Sequence, residues 1–282
     1  MSRQYIGCRQ LEQIRDKLID RDIEILTSLV RYRLLTTRQI CRLHFYNKRT
    51  QNVAMRSCNR ALAKLNNLRL IDPFERRIGG VRAGSGSYVW QLSSVGNRLL
   101  RITVNTDCLP KRRRAYEPSR TFLKHTLAVA EICLCLSEAE RHGSFIVSDL
   151  QREPDCWRVY NGTSGSVMRL KPDLGLVTIS GEFEDYWFLE IDLATEPPSR
   201  VIRTCLNYEA YRRSGIEQKK FGVFPAVIWI VPTEGRKSAV QARLDEDSRI
   251  SPGLFFVILP NELEQLIHAG VENTQQEAEY AK

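Results

Sequence analysis

Asp173, Glu190 and Asp192 are the residues whose types and spacing could do chemistry together. Glu190 and Asp192 stand two apart, so on an extended strand both point to one face. Asp173 precedes the apolar run Leu174-Gly175-Leu176-Val177. The other two acids lie in Tyr186-Trp187-Phe188-Leu189-Glu190-Ile191-Asp192-Leu193. Both runs have the β-branched and aromatic character of strands, with glycine and acidic residues between them. Two strands joined by a short loop pair antiparallel as a rule, which brings Asp173 beside Glu190 and Asp192. Three like charges so close are relieved by a cation, by raised pKa values or by water. An oxygen-rich cluster of this kind suits Mg²⁺, with Asp173, Glu190 and Asp192 as ligands. Solvated acids at two strand ends are the alternative explanation of the same spacing.

The elements that must position these acids fill the chain from about residue 120 onward. Residues 122–141 form a long helical pattern, apolar on most sides through Leu127, Val129, Ala130, Ile132, Cys133, Leu134 and Leu136. Glu131 lies in its middle, and a carboxylate in that setting needs a partner. Phe145-Ile146-Val147 reads as a short strand leading to the two acid-bearing strands. Thr195 is expected to cap a helix that starts at Pro197-Pro198 and ends near Gly215. A strand over 224–231, a helix over 238–245, a strand over 254–259 and a helix over 262–269 complete the pattern. A polar tail follows Gly270.

Charge divides the chain. Residues 1–125 hold 26 Lys and Arg against 9 Asp and Glu, and the remainder holds 16 against 24. Such an asymmetry points to a polyanionic partner for the first half, and nucleic acid fits better than a membrane surface. The first ten residues lack the apolar core of a secretory signal, and no run approaches a membrane span. The eight cysteines include no CxxC pair, which suits reduced, mostly buried thiols in a cytoplasmic protein. The four histidines form no His-x-His pair, and the glycines over 79–86 lack a Gly-Lys-Ser/Thr ending. These absences argue against a metal-histidine relaxase and an ATPase.

The basic half reads as three helices and a ribbon. Residues 20–33 carry Ile23, Leu26, Leu29 and Val30 on one face, with Asp20 and Asp22 at the start, where acids favour a helix. Thr36-Thr37 cap a short helix over 38–45, with Ile40 and Leu43 inward. A third helix spans about 49–68, with Ala54, Cys58, Ala61, Leu62, Leu65 and Leu68 as its apolar stripe. A basic, glycine-rich tip over 76–87 and the strand Tyr88-Val89-Trp90-Gln91-Leu92 follow, then a helix over 94–101. This order is that of a winged helix-turn-helix. Arg49, Asn52 and Arg56 are candidates for base-edge contact, since Arg reads guanine and Asn reads adenine. Arg76, Arg77 and Arg82 are candidates for phosphate contact. Winged helices also serve as protein-binding modules, but the basic balance favours double-stranded DNA. Lys111-Arg112-Arg113-Arg114 between Pro110 and Pro118 reads as a basic linker.

The expected organisation is therefore a winged helix-turn-helix over 1–110, a linker over 111–120, a mixed-sheet domain over 121–270 and a tail over 271–282. The fold class is α+β or α/β. The order helix, three strands, helix, strand resembles the PD-(D/E)xK nuclease core, a restriction-endonuclease-like mixed-sheet domain. Pro172-Asp173 matches its first acid, Glu190 its second, and Glu131 the acid often found on its first helix. The motif expects Lys two residues after the second acid, where this chain has Asp192. Arg203 and Lys171 are candidates to replace that cation.

The layout also resembles the replication-relaxation family of plasmids and conjugative elements. Glu190-Ile191-Asp192-Leu193-Ala194-Thr195-Glu196-Pro197 is similar to that family's E-x-D-x-x-T-E-P motif, and His125-Thr126-Leu127-Ala128-Val129-Ala130-Glu131 to its His-x-Leu-x-Val-x-Glu. The family often has Arg-Gly where this chain has Leu193-Ala194. The resemblance implies a DNA-binding accessory protein acting in replication, relaxation or transfer of a mobile element. Its partners would be double-stranded DNA and other replication or transfer proteins, with a homodimer left open. Two alternatives remain. One is a Mg²⁺-dependent DNA endonuclease using Asp173, Glu190 and Asp192, with Glu131 auxiliary. The other is a transcriptional regulator whose second domain dimerises.

Overall fold

The computed structural model describes residues 6–74, 88–103, 119–162 and 165–280, with 272–280 as backbone alone. The chain divides into two compact units, Met1–Leu134 and Cys135–Lys282. Residues 111–118 of the expected 111–120 linker, and the tip carrying Arg76, Arg77 and Arg82, lie outside the described residues.

The first unit opens with α1 (Cys8–Arg15), then α2 (Asp20–Tyr32), β1 (Leu34–Thr36), α3 (Thr37–His44) and α4 (Gln51–Asn67). Next come β2 (Ile71–Phe74), β3 (Val89–Leu92) and α5 (Ser94–Thr103). The strands form an antiparallel sheet in the order β1-β3-β2. The three expected helices and the strand pair are present; α1 and β1 were not anticipated. Each helix start has a local cause. Asp22 Oδ2 accepts from Ile19 N at the head of α2, Thr36 and Gln39 close a reciprocal cap on α3, and Thr50 Oγ1 accepts from Val53 N on α4. Ile25, Leu26, Leu29, Ile40, Cys58, Leu62 and Leu65 fill the core, while Ile23, Val30 and Leu43, expected inward, are half-buried.

The long helix α6 (Arg120–His142) contains the division between the units. Its first turns belong to the first unit, where Leu123 and Leu127 pack with Leu34, Phe74 and Val89. Burial of an apolar stripe determines where a helix docks, so the expected boundary ahead of this helix does not coincide with the division.

The second unit is a five-stranded mixed sheet in the order β10-β9-β8-β7-β4, from β4 (Ile146–Arg152), β7 (Leu174–Ser180), β8 (Phe183–Ile191), β9 (Ala226–Ile230) and β10 (Phe255–Ile258). β4, β7 and β8 pair antiparallel, and β8, β9 and β10 pair parallel. β8 is thus the central strand and the place where the sheet changes sense. A hairpin of β5 (Arg158–Asn161) and β6 (Val167–Leu170), which sequence patterning missed, is inserted before β7.

α7 (Pro198–Arg213) and α9 (Glu234–Glu246) share one core with the sheet, where Phe188, Val227, Trp229 and Val257 meet Val201, Cys205, Tyr208, Val240 and Leu244. The cap expected at Thr195 is not made; Pro197 holds the N-cap position, since a proline pair presets the first turn. α8 (Ile216–Phe221) follows α7, and α10 (Leu263–Tyr280) ends the fold. α10 breaks at Gly270, whose φ is 78°, and its backbone stays helical beyond the break, where a polar tail was expected. Among the described residues no helix is long and apolar enough to cross a membrane.

Gly96 in α5 allows the helix to approach the turn before β2. A Cβ there would lie 2.1 Å from the Leu70 carbonyl oxygen and 2.7 Å from Leu92. Gly96→Ala is expected to destabilise the chain by about 1–3 kcal/mol through overpacking. Thermal unfolding followed by circular dichroism measures it, and a melting temperature equal to wild type would contradict this packing.

Candidate functional site

Asp173 and Glu190 meet at one end of the sheet, at the start of β7 and the carboxyl end of β8, and Asp192 follows just beyond β8. Leu174 pairs with Leu189, and Asp173 N donates to Leu189 O, which sets Asp173 across from Glu190. Asp173 is buried, and its Oδ2 accepts from Ile191 N at 2.7 Å. Glu190 faces the α7 side of the sheet, where Tyr208 O–H donates to its Oε1 at 2.6 Å. Asp192, two residues on, faces the same side. Its Oδ2 is ion-paired with Arg236 Nε at 2.6 Å, and its Oδ1 accepts from Ala194 N at 2.9 Å.

The charges sort accordingly. Glu190 keeps some solvent access, but protein crowds its carboxylate. Burial pushes that carboxyl well above the usual range, and the negative charges of Asp173 and then Glu153 add to the push. The Tyr208 hydrogen bond works in the other direction. Burial and the Glu190 charge also raise the Tyr208 phenol, so it stays a donor. The crowding anticipated from spacing is therefore relieved in two ways: a guanidinium neutralises Asp192, and Glu190 is biased toward its protonated form. Cys156 packs beneath this corner with its thiol donating to Pro172 O, and burial pushes that thiol up to about 12. It is a packing group rather than a nucleophile.

Glu131 is engaged within the first unit. Arg42 forms an ion pair with its Oε1, and Gln39 Nε2 donates to its Oε2 at 3.0 Å. It has the partner that its helix demanded, and that partner is α3. The cation candidates named from sequence go elsewhere: Lys171 lies over the Trp157 ring at 4.5 Å, and Arg203 is exposed. Arg236 was missed because nothing in local spacing joins positions 192 and 236; only the return of β9 beside β8 brings them together. Tyr208 had a weak signal, the i, i+3 spacing of Cys205, Tyr208 and Tyr211 along one helix face.

In the first unit, Arg49, Asn52 and Arg56 are exposed at the start and outer face of α4, opposite Ala54, Cys58, Leu62 and Leu65 in the core. The helix is fixed from behind. Asp22 on α2 forms an ion pair with Lys64 at 2.6 Å, and Cys58 Sγ bonds Thr37 O on α3. Trp90 Nε1 on β3 donates to Thr37 Oγ1 at 2.9 Å.

Comparison with known proteins adds three findings. A family model described as replication-relaxation matches residues 26–227, well over half of the chain. No curated protein matches the chain. Among solved structures, the restriction endonuclease FokI is similar at a TM-score of 0.24 and 10% identity, over 97% of this chain and 74% of that one. A likeness that slight carries no argument.

The Glu190 environment makes stability depend on pH. A carboxyl whose pKa is raised on folding contributes fully below its unfolded value, near 4.3 as an approximate reference, and that contribution is lost as pH rises through the folded value. Glu190→Gln keeps the shape and removes the charge. Its melting temperature is expected to exceed wild type at pH 8, with the gain shrinking toward pH 4. A difference that does not change with pH would rule out the raised carboxyl.

Proposed function

The chain belongs to the replication-relaxation family, and from that premise we propose that it is a DNA-binding accessory factor in plasmid replication or DNA relaxation. The solvent-facing Asn52 and Arg56 on α4, with Arg49 just before it, carry this reading, since α2 and α3 hold the helix from behind. In the helix-turn-helix mode, α4 enters the major groove and these side chains meet base edges. Arg76, Arg77 and Arg82, between β2 and β3 in sequence, supply phosphate contacts. The excess of basic residues in the first 125 positions supports the same partner. On this reading the second unit is a nuclease-like domain that serves assembly or DNA positioning.

One observation favours a second reading, a Mg²⁺-dependent DNA endonuclease. Asp173 and Glu190 crowd one corner, and a divalent cation would relieve the repulsion that adds to burial in raising Glu190. Asp192 is committed to Arg236, and among the described residues no group of three His, Cys, Asp or Glu is arranged for a metal. Two carboxylates still fit Mg²⁺, which keeps several waters and needs few protein ligands. When bound, the ion would stabilise charge on a phosphoryl oxygen. Asp173 and Glu190 would hold it, and Tyr208 would orient Glu190.

The test incubates the full chain with supercoiled and linear DNA in Mg²⁺, Mn²⁺ or EDTA. DNA is expected to be retained without cutting in every condition. Cutting that needs metal and disappears in both Asp173→Ala and Glu190→Ala would establish the endonuclease instead. Arg56→Ala is expected to cost roughly 1–3 kcal/mol of discrimination at one base pair. Arg76→Ala with Arg77→Ala is expected to weaken binding on all sequences and flatten its salt dependence. Failure of the wild-type chain to retain DNA at low salt would refute the binding role.

A further inference from the structure

The resembled nuclease motif places a lysine where this chain has Asp192, so β8 itself brings no cation to the acidic edge. The structure brings one from α9. Arg236 lies in that helix's first turn, and it and Asp192 each expose only 9% of their side chains. A guanidinium has five N–H donors in a fixed fork. Nε is spent on Asp192, while Nη2 is buried and has no hydrogen-bond partner among the described residues. Unspent buried donors are costly and therefore mark places where an acceptor belongs.

The surroundings suit an oxyanion approaching from the helix side. α7 follows β8 and α9 follows β9, so both helices begin at the edge where the parallel strands end. That is where open α/β sheets receive ligands, and helix starts favour negative charge. In α9, Thr233 Oγ1 accepts from Arg236 N, while the N–H groups of Glu234 and Gly235 precede any intrahelical acceptor. A Cβ added at Gly235 would meet nothing within 4 Å, so the backbone N–H groups of this turn are open to approach, and a shift of the Arg236 side chain brings Nη2 to the same ligand.

We propose that Arg236, with the open first turn of α9, receives a phosphate oxygen of bound nucleic acid and so supplies the cation that position 192 lacks. This rests on the DNA-binding reading above and adds a contact in the second unit. The negative charges of Asp173 and Glu234 repel a free anion at this edge. A phosphate carried on a strand bound along its length withstands that repulsion better, so the ligand is a phosphodiester.

Two variants test it in the full chain. Arg236→Lys keeps a positive partner for Asp192 and removes Nη2. Asp192→Asn with Arg236→Gln removes both buried charges together. Affinity for a short DNA duplex is measured by fluorescence anisotropy between about 50 and 200 mM salt, beside melting temperatures. Both variants are expected to bind about tenfold more weakly, the scale of one charge-assisted hydrogen bond. The slope of log affinity against log salt is expected to shrink by about 0.9 in the double variant. If the double variant fails to fold, Arg236→Lys decides alone. Wild-type affinity in a folded Arg236→Lys would overturn the proposal while leaving the DNA-binding role intact. A wild-type chain that binds no DNA would overturn both. Inorganic phosphate that raises the melting temperature of the wild type but not of Arg236→Lys, with DNA affinity unchanged, would assign the site to free phosphate and overturn the phosphodiester claim.

Discussion

A carboxylate taken out of water is costly unless a partner compensates it, and the central strand of the second unit ends in two of them. The elements around β8 answer that constraint. α7 contributes Tyr208 to Glu190, α9 contributes Arg236 to Asp192, and the β8 backbone contributes Ile191 N–H to Asp173. The same solution recurs away from the strand end. Glu217 is buried and accepts from Arg158 and Tyr211, and Glu209 is buried and bonded to Arg212 and Ser251 N. These networks tie the β5–β6 hairpin to α7 and α8, and α7 to the turn before β10. Removing one partner from such a pair leaves an uncompensated charge, so they specify which elements meet.

The turn after β8 shows how a departure from the resembled pattern is accommodated. Ala194 has a φ of 54°, the left-handed region that favours glycine, and the resembled motif often has glycine there. Its N–H bonds Asp192 Oδ1, so the turn that strains Ala194 also holds the carboxylate toward Arg236. A residue without the ideal backbone freedom is tolerated because the bonds around it determine the conformation.

The first unit solves a different problem, presenting one face of α4 while fixing the other. Asp22 serves twice, capping α2 and pairing with Lys64 of α4. Thr37 joins α3 to β3 through Trp90 and the Tyr88 carbonyl. Gln39 bonds the Leu127 carbonyl and, with Arg42, Glu131, which anchors the start of α6 on α3. The inner face of α4 is thus held by polar contacts from α2 and α3 as well as by its apolar stripe.

Periodicity and local chemistry made the helices at 20–33, 38–45 and 49–68 legible, along with the two acid-bearing strands and their antiparallel pairing. Their causes are short-range: caps such as Thr36 and Thr50, apolar spacing, and a short connection between β7 and β8. That Glu190 and Asp192 share a face was legible for the same reason, since strand geometry alternates residue by residue. Sequence alone did not reveal the β5–β6 hairpin, whose exposed Val159 and Val167 break the apolar alternation expected of a strand pair. Nor did it reveal the partner of each acid. Glu131 looked like a companion of Asp173 and is bonded to Arg42, and Asp192 looked like a ligand and is bonded to Arg236. Residue types and intervals determine which charges must be compensated. Which group compensates them depends on distances between segments far apart in the chain, and only tertiary packing brings those together.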